Sequence, residues 1–593
     1  MNPPVDSPAS SFVRPWSKFG SPQLSLVVGT LWLSLVIAAA RLAPAQTATL
    51  ESPPPESAVR ATVLGDPLFV IQTEAISNGV SPLAHWGWKP SDYIQWSSHS
   101  NRLIPVYTFG TRQAGAGVDL DSYVGAASIY RRADDLATLY GQLPRQTVNE
   151  QAEYLDQTDL YRLQVAAAAA GKKHLFLIVF DGMDWPTTRA AAIHATGRVA
   201  YESGRGTGLH FLDYGASGTT QFGWMVTSPH NDGTEVDVDR QSVLNPGGTK
   251  TGGYDPAIAG FAPWDVPTDP AYLAAAPELG GPIHAYTDSS SSASSMTAGI
   301  KTYNNAVNVD PTGLQVETIA HRLQRDGWSI GVVTSVPISH ATPACTYSHN
   351  VHRDDYQDLT RDLLGLPSIA HPEAPLPGVD VLIGTGWGKN ADAENAAAQG
   401  ANFVPGNAYL TEPDRRAIDV ASGGRYVVVE RRRGEPGDER LAAAADRAAR
   451  EGHRLFGFFG VASTGPLPYR TADGDYRPSP GRSKTAESYT PADIAENPTL
   501  AEMTAAGITA IAARGKPFWM LVEAGDVDWA NHDDNLDNSI GAVRSGDDAV
   551  RVVTEWVERH SDWNESLVIV TADHGHLLFL DDPTRLAELI GER

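Results

Sequence analysis

Uninterrupted apolar runs, each closed by glycine or an acidic residue, recur along the chain from Lys172 onward. Leu175-Phe176-Leu177-Ile178-Val179-Phe180 ends on Asp181-Gly182. A short run without polar interruption suits a strand buried on both faces, as in a parallel sheet. The same form returns at Ser329–Thr334, Val379–Gly384, Phe518–Val522 and Leu567–Thr571. Helical patterns separate these runs, for example over about Val316–Arg325. The pattern therefore predicts an α/β fold with a doubly wound, largely parallel sheet flanked by helices. Residues 390–498 are richer in Gly, Pro and charge, and are expected to lie over the sheet as an insertion.

Polar residues gather where the strands end. Asp181, Glu523 and Asp573 each terminate an apolar run, and in open α/β sheets the carboxyl ends of the strands are where sites are built. A single Asp there is commonly a helix cap or turn residue. Three together, two with histidines close by, point to a metal site. Asp573-His574-Gly575-His576 sets a carboxylate beside an imidazole, a combination that suits zinc. Asp528 and His532 have the i, i+4 spacing that places both on one helical face.

The amino-terminal part changes the picture less. Arg14 and Lys18 precede an apolar stretch from about Leu24 to Ala40, and Ala43-Pro44-Ala45 forms a small-x-small cleavage site. Residues 1–45 therefore read as a signal peptide, with export to the periplasm or the medium. The alternative is an uncleaved membrane anchor, since the stretch is near the short limit for spanning. Gln46 to about Ser57 reads as a flexible mature terminus. The rest of the extension, to Gly171, holds aromatic clusters such as His85-Trp86-Gly87-Trp88 and a helix ending in Ala166–Ala170. No chemistry attaches to it; packing is its expected role, and a helical cap that shapes substrate access is the alternative. With 593 residues, 42% of them hydrophobic, the chain can bury a large core. Its net charge of -25 argues against a nucleic-acid partner. Cys345 is the one cysteine, so an intrachain disulfide is excluded.

The segment Tyr286-Thr287-Asp288-Ser289-Ser290-Ser291-Ser292-Ala293-Ser294-Ser295-Met296-Thr297-Ala298-Gly299-Ile300-Lys301-Thr302-Tyr303-Asn304-Asn305 would pass for a linker on composition alone. Its flanks say otherwise. It resembles the nucleophile segment of alkaline phosphatases, where an Asp-Ser pair opens a small-residue helix leading into Gly-x-Lys-Thr-Tyr-Asn. Further segments resemble the same family in the same order. They are Phe180-Asp181-Gly182-Met183, His340-Ala341-Thr342-Pro343-Ala344 followed by Arg353, Val522–Asp528 with His532, and Thr571–His576. Together they span about residues 172–580, the expected catalytic domain being 172–593.

That resemblance implies roles residue by residue. Ser289 is the nucleophile and a metal-coordinating oxygen, and Asp181, Asp573 and His574 hold zinc beside it. Asp528 and His532 hold a second zinc; Asp181, Thr342 and Glu523 hold magnesium. Arg353 clasps two phosphate oxygens and is oriented by Asp288. His340 and Trp529 fall where the family varies and tune the third metal or phosphate release, while His576 steadies a ligand carboxylate. The implied reaction is hydrolysis of phosphate monoesters through a phosphoserine, in a homodimer.

One part of the pattern is missing. The family's second zinc has a further histidine well downstream of the Asp-His pair, and here no histidine follows His576. The expectation is a fold lacking its C-terminal end and an incomplete second zinc site, through truncation rather than a substitute ligand or an impaired site. Competing functions are phosphodiester or sulfate-ester hydrolysis on the same sheet, and phosphate or metal binding without catalysis. Asp288-Ser289 with Arg353 suits a dianionic phosphate, and a sulfatase-type Cys-x-Pro-x-Arg motif is absent.

Overall fold

The computed structural model describes residues 66–591, except 95, 97, 274–282 and 393–397. The expected signal peptide at 1–45 and flexible stretch at 46–57 lie outside the described residues. Ten strands form the main sheet. In chain order they are β1 (Ile104–Phe109), β2 (Leu155–Asp156), β3 (His174–Phe180), β4 (Gln221–Val226), β5 (Ser329–Pro337), β6 (Val381–Thr385), β7 (Tyr426–Glu430), β8 (Arg454–Phe458), β9 (Phe518–Ala524) and β10 (Ser566–Thr571). Their spatial order is β7-β8-β6-β5-β9-β3-β10-β1-β4-β2. All neighbours from β7 to β10 are parallel. The α/β sheet read from the apolar runs is thus the one that forms, and Leu175–Phe180 of β3 is buried throughout.

Two stretches differ from expectation. Residues 390–498 do not simply lie over the sheet, because β7 and β8 widen it at one edge, joined by a helix at Gly437–Glu451. Their apolar runs, Tyr426–Val429 and Leu455–Phe458, are short and set among charged residues, which hid them. The amino-terminal stretch fills the other side. β1 pairs antiparallel with β10, matching Phe109 to Val568 and Val106 to Thr571. Ala84–Trp86 forms a ribbon with Leu578–Leu580. The place beside β10 is therefore taken by β1, from the amino-terminal side.

Helices cover the sheet: α1 (Pro67–Asn78), α2 (Thr158–Ala169), α3 (Trp185–Thr196), α4 (Ser289–Ala298), α5 (Tyr356–Leu364), α6 (Asp526–His532) and α7 (Leu536–His560) are those that bear on the site. Helix α7 buries Ile540, Val543, Val550, Val553 and Val557, a helical-spacing stripe. Each such side chain contributes about 1.5–3 kcal/mol of burial. Gly546 lets α7 approach β3 closely, since a Cβ there would lie 2.2 Å from the Phe180 ring. Among the described residues no helix is long and apolar enough to cross a membrane.

Candidate active site at the carboxyl ends of the strands

The serine-rich run is a buried helix, not a linker. Asp288 caps α4, its Oδ1 accepting from the Ser291 amide at 2.9 Å and its Oδ2 from the Ser290 hydroxyl at 2.7 Å. Gly299 ends the helix in the left-handed conformation, φ 72°. Every residue between is buried, and the hydroxyls find partners: Ser292 donates to the Asp573 carbonyl at 2.9 Å and Thr297 to the Cys345 carbonyl at 2.6 Å. The motif beyond the helix serves the same turn. Asn304 Oδ1 accepts from the Asp288 amide at 3.1 Å and the Ser291 hydroxyl at 2.9 Å. Lys301 makes a wholly buried ion pair with Asp156, 3.0 Å away on the amino-terminal side.

Strands β3 and β10 are parallel neighbours, so the residues following them, Asp181 and Asp573-His574, stand side by side. His574 Nε2 lies 3.4 Å from Asp181 Oδ1 and 3.3 Å from Asp573 Oδ2. Ser289 Oγ is 3.2 Å from the same nitrogen and 3.5 Å from Asp181 Oδ1. Ligand atoms of a tetrahedral zinc with bonds of about 2.0–2.1 Å are about 3.3 Å apart, and His574 Nε2 stands 3.2–3.4 Å from each of the other three groups. Asp573 Oδ1 is held by the amides of Gly182 and His574, both at 2.9 Å, which leaves Oδ2 bare. Gly182 has φ +73°, and a Cβ there would come within 2.7 Å of His576 Nε2.

Asp528 and His532 share one face of α6, with His532 Nε2 3.4 Å from Asp528 Oδ1. His576 Nε2 lies 2.7 Å from the same oxygen and steadies it. A third imidazole completes the group. His99 Nε2 lies 3.1 Å from His532 Nε2 and 3.8 Å from Asp528 Oδ1. Its Nδ1 is 3.0 Å from the Thr287 carbonyl oxygen. A carbonyl only accepts, so Nδ1 carries the proton and Nε2 presents a lone pair. His99 thus brings a further imidazole beside Asp528 and His532, from the amino-terminal side. The segment around it is stitched in place: Trp96 Nε1 donates to the His576 carbonyl at 3.0 Å, the Ser100 amide to Gly575 at 2.8 Å, and Arg102 to the Leu578 carbonyl at 2.7 Å. His99 was missed because nothing in its immediate sequence marks it. The available signal was a histidine just ahead of the interrupted apolar stretch Leu103–Phe109.

Glu523, near the end of β9, accepts from the Thr334 hydroxyl. Burial raises its carboxyl to about 8, while the Thr334 and Thr342 hydroxyls pull it down. Burial also lifts Asp181 well above the usual carboxylate range, as do the charges of Asp573, Asp528 and Glu523. Asp573 is pushed up to about 6, mainly by burial. Among the described residues, every ion-pairing partner of Asp181, Asp528 and Asp573 is a histidine. Burial holds His574 neutral, down to about 3. Buried oxygens of Asp181, Asp573 and Glu523 have no hydrogen-bond partner. Four crowded carboxylates, three of them with bare oxygens, and neutral imidazoles form a donor set that fits bound cations.

Arg353 reaches the mouth of the site. Its guanidinium pairs with Asp288 Oδ2 at 3.0 Å and donates to His340 Nε2 at 3.4 Å. Burial opposes the Asp288 charge, but Arg353 and the helix-cap hydrogen bonds hold its carboxyl well below the ordinary range. Burial, with Arg353 beside it, drives His340 down to about 4. The His340 ring meets Trp529 edge-on at 5.8 Å. A cavity of about 570 Å³ opens over Ser289, Arg353, His99 and His532.

A family model described as alkaline phosphatase matches residues 282–588. The chain belongs to the alkaline phosphatase family. The matched stretch contains Ser289, Arg353 and Asp573 but neither Asp181 nor His99. Alkaline phosphatase 4 of Bacillus subtilis is 25% identical over 298 residues, covering 49% of this chain and 50% of that protein. Streptomycin-6-phosphate phosphatase of Streptomyces griseus is 29% identical over 321 residues, 50% of this chain and 63% of that one. The chain spans about half the length of the curated relatives first matched. The solved alkaline phosphatase of Thermus thermophilus aligns with 68% of this chain and 60% of its own, at 18% identity and a TM-score of 0.39.

Proposed function

We propose that this member of the alkaline phosphatase family hydrolyses phosphate monoesters, with Ser289 as nucleophile. The observation that carries this reading is the position of Ser289 Oγ, 3.2 Å from His574 Nε2 and 3.5 Å from Asp181 Oδ1. Asp181, Asp573, His574 and Ser289 would hold one zinc; Asp528, His532 and His99 would hold a second. Asp181, Glu523 and Thr342, an all-oxygen set, would hold magnesium. Bound zinc would lower the pKa of the Ser289 hydroxyl and offset charge on the attacking and leaving oxygens.

The chain's own groups do the rest. The amino-terminal end of α4 favours an incoming anion. Arg353 offers its planar fork to two phosphate oxygens, with Asp288 and His340 fixing its plane. Ser289 Oγ gives up its proton and bonds to phosphorus as the bond to the ester oxygen breaks, releasing the alcohol. Water then attacks the phosphoserine, which frees phosphate and restores Ser289. Neutral His340 accepts from Arg353 without adding charge. Export rests on the leader at 1–45, and a homodimer on the family resemblance.

The test is release of p-nitrophenol from p-nitrophenyl phosphate with zinc and magnesium present. Ser289→Ala is expected to lower kcat by about 10³-fold or more while metal content stays unchanged. Retained turnover would sink the assignment.

A further inference from the structure

A second group of metal-ligating side chains lies away from Ser289. His349 stands in the loop that leads to Arg353, Asp362 near the end of α5, and His371 in the following loop; the three offer ligand atoms that converge. His349 Nδ1 is 3.0 Å from His371 Nε2, which is 3.8 Å from Asp362 Oδ2. Each group is held from behind. His349 Nε2 donates to the Val316 carbonyl at 2.9 Å, so its Nδ1 faces inward with a lone pair. Ser368 donates its hydroxyl to Asp362 Oδ1 at 2.5 Å and receives the His371 amide at 3.0 Å. The His321 ring stacks on His349 at 5.0 Å.

Charge separates the two possible occupants of this space. Without a cation, His371 Nε2–H donates to His349 and the cluster is an ordinary hydrogen-bonded network. Asp362 is then a wholly buried carboxyl whose Oδ1 accepts from Ser368 and whose Oδ2 accepts the His349 amide at 3.0 Å, with His371 its one ion-pairing partner among the described residues. Burial pushes that carboxyl to about 8 and His349 down to about 3. Removing the proton from His371 Nε2 leaves two imidazole nitrogens 3.0 Å apart and a carboxylate oxygen 3.8 Å from one of them, all within 4.8 Å of one another, a donor set that suits zinc. The His371 side chain is 13% exposed, which leaves one side open to water as a fourth ligand.

We propose that His349, Asp362 and His371 bind a structural zinc ion that ties the Arg353 loop to α5. The site does not depend on the reading of Ser289; its effect on phosphate does. Arg353 is four residues beyond His349, and its amide donates to the Asn305 carbonyl at 2.8 Å. Pinning His349 therefore limits the movement of the residue that grips phosphate.

The experiment counts zinc per chain by native mass spectrometry in the full chain loaded with zinc and magnesium. His371→Ala, on a partly exposed loop, is expected to hold one zinc fewer than wild type, with circular dichroism unchanged. It should also raise KM for p-nitrophenyl phosphate about threefold and leave kcat within about twofold, a loss of about 0.7 kcal/mol in phosphate binding. Equal zinc counts in the two chains would overturn the site. Should the variant unfold, zinc-edge anomalous scattering from wild-type crystals decides. A peak between His349 and His371 supports the site, and its absence while the Ser289 site is filled rejects it. A peak here with none beside Ser289 would support this site and reject the proposed catalytic one.

Discussion

Asp573 and His574 are consecutive in the chain, whereas His99 and His532, 3.1 Å apart at Nε2, are 433 residues apart in sequence. The first pair needs only one strand end to bring its atoms together. The second needs the amino-terminal stretch to close over the sheet, pairing β1 with β10 and Ala84–Trp86 with Leu578–Leu580. One side of the candidate site is therefore local in sequence and the other depends on long-range packing. Damage to the scaffold should reach the His99 side first.

The largest effect expected from breaking the distant side is that of His99→Ala. Loss of one of three protein ligands should lower kcat/KM for p-nitrophenyl phosphate by about 100-fold or more, read by steady-state kinetics with metals in excess. His85→Ala, in the same stretch but buried against Phe579 and paired with Asp581, outside the cluster around Asp528, should leave it within about twofold.

Next comes the buried pair that clamps the two stretches together. Asp156→Asn leaves Lys301 charged and unpaired in a fully buried place. A loss of about 3–5 kcal/mol is expected, measured by urea unfolding of the metal-loaded chain. A loss below about 1 kcal/mol would mean that the clamp matters little.

The smallest effect separates the electrostatics of the site from its packing. In the chelated chain Asp573 is raised to about 6 and Glu523 to about 8, both above the values of about 3.9–4.3 for the unfolded chain. These two carboxyls then hold more protons in the folded chain than in the unfolded one, whereas His574 and His340, held neutral down to about 3 and about 4, hold fewer below about 6.5. The carboxyls' share of the stability should be fully present below about pH 4 and lost as pH rises through 8, and it stands alone above about pH 7, where the histidines are neutral in both states. Bound cations offset the carboxylates, so the metal-loaded chain should show a flatter profile. Melting temperatures at pH 7 and 9, with and without chelator, check the sign. A chelated chain that gains stability between those values contradicts it.

The parts of the fold legible in the sequence are those whose physics is local. β3, β5, β6, β9 and β10 could be read because strands buried on both faces demand unbroken apolar runs. The acids at their ends stood out against that background. β1 was harder to see, since Pro105 and Thr108 interrupt Ile104–Phe109, and β2 has only two residues. β7 and β8 were obscured by charged flanks. Most of the candidate site was legible for the same reason: Asp181, Ser289, Asp573 and His574 lie in short contiguous motifs. His99 was not, because its role depends entirely on which strand lies next to β10. The serine run shows the converse, a composition that suggests a linker but becomes a buried helix once its hydroxyls meet Asp573 and Cys345.

The most direct measurement is zinc-edge anomalous diffraction from the full chain crystallised with zinc and magnesium. One peak is expected among Asp181, Asp573, His574 and Ser289, and another within about 2.1 Å of His99 Nε2 and His532 Nε2. A filled site beside Ser289, with no metal near His99, would contradict it.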